Sequence, residues 1–371
     1  MADHLRPPSE RGAGGSQAKL SGQFWAYCCV YCGCKGTTTT SVMQYKSVKG
    51  FSGFGQLGIL IVFIGGGLIL TGIAQLMIGM QIVPADVPPD KLPGVLENLL
   101  LDPKNIAYAR LAQVVGTFLL LCVPAVLFSW VVNGTDPHWL GFSRYFNAKQ
   151  LLLGFAIIFT ANLFAAPFAG LSKSIVSNFP DLDALARQIE HTYDRQVKAL
   201  SHLGSWSEFL MALVIMAFVP ALFEEIFFRG AVQNLLEKWW RNPWIAIVFT
   251  SILFSLIHMS IYLFLSRAIL GFALGLMFYV TRNIWVNIFA HFINNAIAMA
   301  QLFFLTLQKK EINVDELDPH VPWWLAAITL VILIGFFILI KRVSVNDREK
   351  ILAREAVLMA RGNTRDPFQQ N

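Results

Sequence analysis

The sequence predicts an all-α fold, a polytopic membrane helical bundle of about eight transmembrane helices. Of its 371 residues, 55% are hydrophobic and only 14% are charged, and the mean hydropathy is +0.55. Water-soluble domains of this size do not have such a composition. Several stretches reach the ~20 apolar residues that a helix needs to cross a bilayer. No segment alternates between polar and apolar residues as the strands of a membrane barrel do.

The apolar stretches set the order of the elements. Helices are predicted near 56–80, 110–132, 150–171, 207–236, 243–260, 262–281, 284–307 and 322–341. Most tryptophans fall near the ends of these stretches, as in the aromatic belts of membrane proteins. Lys and Arg are concentrated in alternate connections, which predicts a cell (inner) membrane protein with cytoplasmic N- and C-termini. The net charge of +6 therefore reflects topology, and no nucleic-acid partner is predicted.

The chain divides into four segments. Residues 1–42 are rich in Gly, Ser, Pro and Thr and hold four cysteines between positions 28 and 34, too close together to surround one metal ion well. We expect this extension to be disordered or not made, with initiation at Met43. Residues 43–204 are predicted to hold N-terminal transmembrane helices, 205–307 the catalytic core, and 308–371 a last helix followed by a cytoplasmic tail.

Two connections in the first half of the chain differ in character. The stretch 84–108 contains several prolines and is predicted to be a non-cytoplasmic loop. Between 172 and 205, Leu182, Leu185 and Ile189 begin an apolar series that recurs every three or four residues. This pattern predicts an amphipathic helix that lies on the membrane surface or covers the bundle.

Two adjacent carboxylates interrupt the fourth apolar stretch. Glu224, Glu225 and Arg229 lie in a segment that is otherwise apolar, and ionisable residues at membrane depth mark functional sites by default. Glu225 and Arg229 are four residues apart, which places them on one helical face and predicts an ion pair. Glu224 points about 100° away and has no local partner. Pro220 removes a helical hydrogen bond and predicts a distortion just before the pair.

Two further polar groups interrupt the next apolar stretches. His258 follows Phe254 by four residues, and Asn287, His291 and Asn295 are also spaced by four, so that the last three share one helical face. A single histidine in a membrane helix usually makes a structural hydrogen bond to a neighbouring helix. Histidines, glutamates and asparagines on three successive helices instead predict a polar cavity with a chemical role.

In this order the three motifs Glu-Glu-x-x-x-Arg, Phe-x-x-x-His and His-x-x-x-Asn resemble the CAAX protease and bacteriocin-processing family of intramembrane endopeptidases, over roughly 205–305. The resemblance implies hydrolysis of a peptide bond in a membrane-associated protein or peptide. It implies that Glu224 and His258 activate a water and that His291 and Asn295 stabilise the oxyanion. The supporting residues would be Glu225, Arg229, Phe254 and Asn287.

Three alternatives stay open at this stage. No cofactor is predicted, but Glu224, His258 and His291 would also make a His₂Glu zinc set. An ion-coupled transporter would bury the same residue types at mid-membrane. A non-catalytic immunity or scaffold protein would keep the fold without hydrolysing anything. Separately, Gly271 and Gly275 form a GxxxG step and predict the close approach of another helix.

Overall fold

The computed structural model describes residues 45–200, 203–308 and 321–363, and within these ranges the chain folds into helices joined by short connections. In chain order the helices are α1 (Gly53–Gly79), α2 (Leu92–Leu101), α3 (Pro103–Val132), α4 (Ala148–Val176), α5 (Pro180–Leu200), α6 (Trp206–Trp240), α7 (Pro243–Ile257), α8 (Phe264–Thr281), α9 (Ile284–Leu307) and α10 (Trp323–Asn363). The predicted all-α class is confirmed for this part of the chain. The predictions for 1–42 and for initiation at Met43 lie outside the described residues.

Seven of the described helices are long and apolar enough to cross a membrane, and α7 is a shorter apolar helix of 15 residues. Together they come close to the predicted eight. Their outward faces are apolar, as α1 illustrates: Ile61, Val62 and Ile69 are each more than half exposed. Such a surface is suited to lipid rather than to water. The chain is therefore an integral membrane protein.

The structure corrects the predicted boundaries in the first connection. The stretch 84–108 is not all loop, because it contains the ten-residue helix α2. Helix α3 begins at Pro103 rather than near 110. Both helices carry a proline in their first turn, where the missing N–H would have no helical acceptor in any case. Pro93 and Pro103 therefore mark helix starts, whereas Pro84, Pro88 and Pro89 lie in the connection before α2.

Two later boundaries also differ from the prediction. Helix α7 ends at Ile257 rather than at 260, because Met259 adopts a left-handed backbone conformation with φ of 49°. His258 therefore caps the helix instead of lying inside it. Helix α10 runs on to Asn363, far beyond the predicted end at 341. Its extension is anchored by Glu355, which lies 2.7 Å from Lys238 at the end of α6.

Helix α6 carries both glutamates and continues through Pro220 without a break. Two of its segments are π-helical, Leu213–Phe218 and Ile226–Gln233. The distortion predicted at Pro220 takes the form of a wider turn just upstream, since proline has no N–H to donate to the preceding turn. Glu224 and Glu225 lie in the single α-helical stretch between the two π segments.

The GxxxG step of α8 is a site of close helix packing, as predicted. A Cβ atom placed on Gly271 would lie 3.2 Å from the Cα of Ser251 on α7. One placed on Gly275 would lie 3.0 Å from the side chain of Ile247, also on α7. The absence of side chains at these two positions brings α7 and α8 into contact and exposes the α8 carbonyl groups to side chains from α6.

Candidate active site

The predicted ion pair within α6 is present and completely enclosed. Arg229 Nη1 lies 3.1 Å from Glu225 Oε1, and both side chains are at most 1% exposed. The guanidinium also donates from Nη2 to the carbonyl oxygen of Gly271 at 3.0 Å, and it lies over the ring of Phe254 at 4.9 Å. A buried charge needs this degree of compensation to be tolerated. The pair therefore fixes α6 against α7 and α8.

Glu225 also contacts α9, which the sequence did not indicate. His291 Nδ1 lies 2.9 Å from Glu225 Oε1, and the amide of Asn287 donates to Glu225 Oε2 at 3.2 Å. Asn287 donates in addition to the carbonyl oxygen of Leu274 at 2.7 Å. The polar face of α9 thus meets the second glutamate of the pair, and this contact orients the imidazole ring of His291.

The first glutamate, Glu224, faces both histidines. Its Oε2 lies 3.8 Å from Nε2 of His258 and 3.8 Å from Nε2 of His291. These distances are too long for direct hydrogen bonds, but a polar gap of this size is commonly bridged by a water. Glu224 Oε2 is buried and has no hydrogen-bond partner in the described protein. The structure therefore brings together the three residues that the sequence placed on separate helices.

In each histidine ring, the hydrogen bond at Nδ1 decides which nitrogen carries the proton. His258 Nδ1 lies 2.7 Å from the carbonyl oxygen of Phe254, which can only accept, so Nδ1 carries the proton. His291 Nδ1 faces the carboxylate of Glu225 and carries a proton for the same reason. These tautomers follow from the hydrogen-bond network. In neutral rings, both Nε2 lone pairs would then face Glu224 Oε2.

Phe254 is the aromatic centre of the cluster. Its ring centroid lies 4.6 Å from that of His258 and 5.8 Å from that of His291. It also packs edge-on against Phe228, and it is 4% exposed. Beyond supplying the carbonyl that binds His258, Phe254 contacts both histidine rings and the Arg229 guanidinium. These contacts are consistent with the supporting role predicted for Phe254.

Asn295 lies one turn beyond His291 on α9, and it contacts α6 and the neighbouring Asn294. Its Nδ2 donates to the carbonyl oxygen of Ala217 at 3.5 Å, and its Oδ1 accepts from Asn294 at 3.4 Å. Asn294 in turn accepts a hydrogen bond from Asn162 of α4. The described hydrogen bonds of Asn295 reach neither glutamate nor either histidine. Sequence analysis missed Asn162, which lies in the middle of the membrane-spanning helix α4.

Helix α5 packs against the turn that follows His258. Glu190 Oε1 accepts from the hydroxyl of Ser260 at 2.6 Å and from the backbone N–H of Tyr262 at 3.2 Å. Asp183 accepts from the Tyr262 hydroxyl at 2.6 Å. The hydrogen bonds from Tyr262 and from Arg187 hold the pKa of Asp183 below its ordinary value. Burial, reinforced by Asp183, raises the pKa of Tyr262.

The turn after His258 adopts a conformation that needs support. Met259 has a positive φ of 49°, which costs a residue other than glycine about 1–2 kcal/mol. Arg267 of α8 donates to the carbonyl oxygen of His258 at 3.1 Å, and its guanidinium lies over the Tyr193 ring of α5 at 5.0 Å. The hydroxyl of Ser255 donates to the carbonyl oxygen of Phe264 at 2.7 Å and closes the turn. Together these contacts hold the strained turn.

The zinc alternative can be compared with this geometry. Two ligands of a tetrahedral zinc with bonds near 2.0–2.1 Å lie about 3.3 Å apart. The 3.8 Å separations between Glu224 and the two histidines exceed that spacing. Within the described ranges, no group of three or more His, Cys, Asp or Glu side chains is arranged to hold a metal ion. The side chains as they stand do not fit a zinc centre.

Comparison with known proteins identifies the part of the chain that carries these side chains. Residues 206–297 match the family model described as type II CAAX prenyl endopeptidase Rce1-like. The resemblance to CAAX proteases is confirmed over this segment. The uncharacterized protein YpbD of Bacillus subtilis is 28% identical over 109 residues, which cover 29% of this chain and 52% of YpbD. No solved structure matches.

The matched segment contains all the residues of the predicted site, from Glu224 to Asn295. A match to this family supports the interpretation that the chain is a membrane protease of the CAAX type. The match to YpbD spans about half the length of that protein. The segment matched by the family model, 206–297, excludes α5 and Asn162 of α4. The contacts that α5 makes to the turn after His258 are therefore features of this chain beyond the matched segment.

Proposed function

We propose that this chain is an intramembrane endopeptidase that hydrolyses a peptide bond in a membrane-associated protein or peptide, using a water activated by Glu224 and His258. The observation that carries the proposal is the position of Glu224 Oε2, 3.8 Å from Nε2 of both His258 and His291. A water between Glu224 Oε2 and His258 Nε2 would have two basic partners. The match to the prenyl endopeptidase family supports the same reaction class.

His258 is suited to the role of base in this proposal. Its Nδ1 is occupied by the Phe254 carbonyl, which leaves the Nε2 lone pair directed toward Glu224. A water held between Nε2 and the carboxylate would lose a proton to one of them as it attacks the substrate carbonyl. The same group would then return the proton to the leaving amine.

His291 is suited to stabilising the oxyanion. Because Nδ1 donates to Glu225, Nε2 can donate only when the ring carries a second proton. The negative charges of Glu224 and Glu225 would together balance Arg229 and the imidazolium formed in this way. Asn295, one turn further along α9, would supply a second donor if its amide turned from the Ala217 carbonyl toward the substrate. Donors of this kind act strongly where water is excluded.

The substrate class follows from the location of the site and from the family. Glu224 and His258 are 16% and 27% exposed, so the site is partly enclosed by membrane-spanning helices. A chain that reaches it must itself lie in or at the bilayer. A peptide with a C-terminal Cys-aliphatic-aliphatic-X sequence and a lipidated cysteine has that property, and it is the first substrate to test.

The test uses the full chain reconstituted in liposomes with quenched fluorogenic peptides, with and without an isoprenyl group on the cysteine. The Glu224→Gln variant keeps the shape of the side chain but removes the carboxylate that activates the water together with His258, so turnover should fall by about 10²–10⁴-fold. Glu349→Gln makes the same chemical change at an exposed position of α10 and serves as the matched control. Wild-type turnover in Glu224→Gln would refute the mechanism.

A substrate outside this peptide class is covered by a second measurement. Membranes from cells that contain the wild-type protein or the Glu224→Gln variant are compared for new protein N-termini by mass spectrometry. Termini that appear only with the wild-type protein would identify the substrate and the cleaved bond. Identical sets of termini, together with inactivity on the peptides, would refute the protease assignment.

A further inference from the structure

Helix α5 presents an unexpected face to the protein. Leu182 and Leu185, which begin its apolar series, are 40% and 50% exposed. Asp183 and Ala186, by contrast, are buried, and Glu190 continues their face one turn later. The helix thus turns these two carboxylates toward the protein, while Val197 further along the same helix packs against an apolar cluster. The hydrogen-bond donors that these two carboxylates need when they are buried lie in the turn after His258.

Glu190 is the centre of this contact. One carboxylate oxygen accepts both from the Ser260 hydroxyl at 2.6 Å and from the Tyr262 backbone at 3.2 Å. The Ser260 hydroxyl also accepts from the backbone N–H of Leu263 at 3.1 Å. A single side chain of α5 therefore holds three residues of the turn, Ser260 and Tyr262 directly and Leu263 through Ser260.

Other contacts fix the two ends of the turn and the Tyr262 hydroxyl, but the hydrogen bonds to Ser260 and to the Tyr262 backbone come from Glu190. Helix α7 ends at Ile257, and Met259 takes the left-handed conformation. At the start of the turn, Arg267 donates a hydrogen bond to the backbone carbonyl of His258. Without an anchor at Ser260 and Tyr262, the strain at Met259 would favour rotation of the turn. Such a rotation would carry the His258 ring away from Glu224.

We propose that Glu190 is a positioning residue that holds the turn 258–263 and thereby sets the distance between His258 and Glu224. The consequence for catalysis rests on the proposed function, whereas the hold on the turn does not. Glu190 does not contact the reacting atoms. It acts through Ser260 and Tyr262, and it lies outside the segment matched by the family model.

Hydrogen–deuterium exchange of the wild-type chain and of Glu190→Ala tests the hold on the turn without any substrate. The Tyr262 amide loses its acceptor in the variant, so a peptide that covers 258–263 should exchange faster by about tenfold, the effect of losing one charged hydrogen bond. Exchange in α8 and α9 should not change. Unchanged exchange in 258–263 would overturn the proposal.

The effect on chemistry is measured with the same variant and the fluorogenic peptides. Glu190→Ala should lower kcat by about 10–100-fold with little change in KM, because a displaced base affects the chemical step more than binding. Glu190→Gln keeps an oxygen acceptor and should recover most of the rate. His191→Ala, on the exposed side of the same helix, is the control for damage to α5.

The outcomes separate the two proposals. Faster exchange in Glu190→Ala with an unchanged kcat would overturn the positioning role while leaving the protease assignment intact. An equal loss of kcat in Glu190→Gln and Glu190→Ala would also overturn it, since the acceptor would then not be the relevant feature. Absence of turnover in the wild-type protein would count against the proposed function, and the exchange result would still decide whether Glu190 holds the turn.

Discussion

His291 donates from Nδ1 to the carboxylate of Glu225 at 2.9 Å, and this contact joins α9 to α6. The same carboxylate pairs with Arg229 within α6. One buried group therefore has two tasks: it balances a cation and it orients an imidazole ring. Substitutions near it will affect folding and chemistry together, and the variants below are chosen to separate the two effects.

The first prediction concerns Arg229. Its replacement by alanine leaves Glu225 as an uncompensated charge in a fully buried position, and breaking a buried pair in this way costs about 3–5 kcal/mol. We expect a lower yield of folded protein and a lower melting temperature in detergent. The measurement is thermal unfolding followed by size-exclusion chromatography.

Arg195 provides the matched control for that prediction. It lies 3.5 Å from Glu97, and the two side chains are 39% and 51% exposed. Exposed pairs of this kind contribute at most about 1 kcal/mol, so Arg195→Ala should unfold almost as the wild type does. Equal melting temperatures of Arg229→Ala and Arg195→Ala would show that the buried pair stabilises the fold no more than the exposed pair does.

The second prediction concerns the contact between α7 and α8. A Cβ atom on Gly275 would lie 3.0 Å from Ile247 and 3.1 Å from Gln233 Oε1. Gly275→Leu should therefore destabilise the bundle by about 1–3 kcal/mol through overpacking, measured as a loss of melting temperature. Gly335→Leu is the control, because a Cβ atom on Gly335 meets nothing within 4 Å. A Gly275→Leu variant as stable as this control would show the GxxxG spacing to be incidental.

The third prediction concerns the second oxyanion donor. Asn295→Ala should lower kcat by about 10²–10³-fold, the usual loss for one such donor. Asn294→Ala removes the same amide from the adjacent position, where it contacts Asn162 and Asn295, and it should lose less. Steady-state kinetics of the two variants on the same peptide give the comparison. If Asn294→Ala proves the more damaging change, the amide of Asn295 has been assigned the wrong role.

The fourth prediction concerns metal dependence. We expect turnover to survive exhaustive chelation and elemental analysis to find no stoichiometric zinc, since the site is proposed to use Glu224 and His258 without a metal. A zinc enzyme would lose activity reversibly on chelation. Its zinc content would fall in His258→Ala and His291→Ala. About one zinc per chain, with activity restored only by added metal, would replace the proposed mechanism while keeping the reaction class.

Local spacing predicted the parts of the site that lie within one helix. The four-residue interval between Glu225 and Arg229 gave their ion pair, and the intervals from Asn287 to Asn295 placed three polar residues on one face of α9. These predictions depend only on helical geometry. The contact between Glu225 and His291 links residues 66 positions apart, and no helical periodicity encodes such a distance.

Helix α5 shows why the remaining contacts could not be predicted. Its periodicity separates a face with Leu182 and Leu185 from a face with Asp183 and Glu190. In a soluble protein the apolar face would turn inward. Near a bilayer the surroundings are themselves apolar, so the pattern does not say which face meets the protein. Met259 is a similar case, because its side chain gives no sign of a left-handed backbone.

The π-helical segment Ile226–Gln233 has a consequence for insertions and deletions. Each π turn encloses one residue more than an α turn, so the loss of a single residue would let the segment relax into ordinary α-helix. Deleting Ala231 would leave every residue of the three motifs in place. Because that relaxation takes up the missing residue, Gln233 would keep its face of the helix and its contact with the Gly275 carbonyl, which is now 2.9 Å, whereas the same deletion in an α-helical stretch would rotate everything beyond it by about 100°. The π-helical segment is thus specified by the number of its residues as much as by their identity.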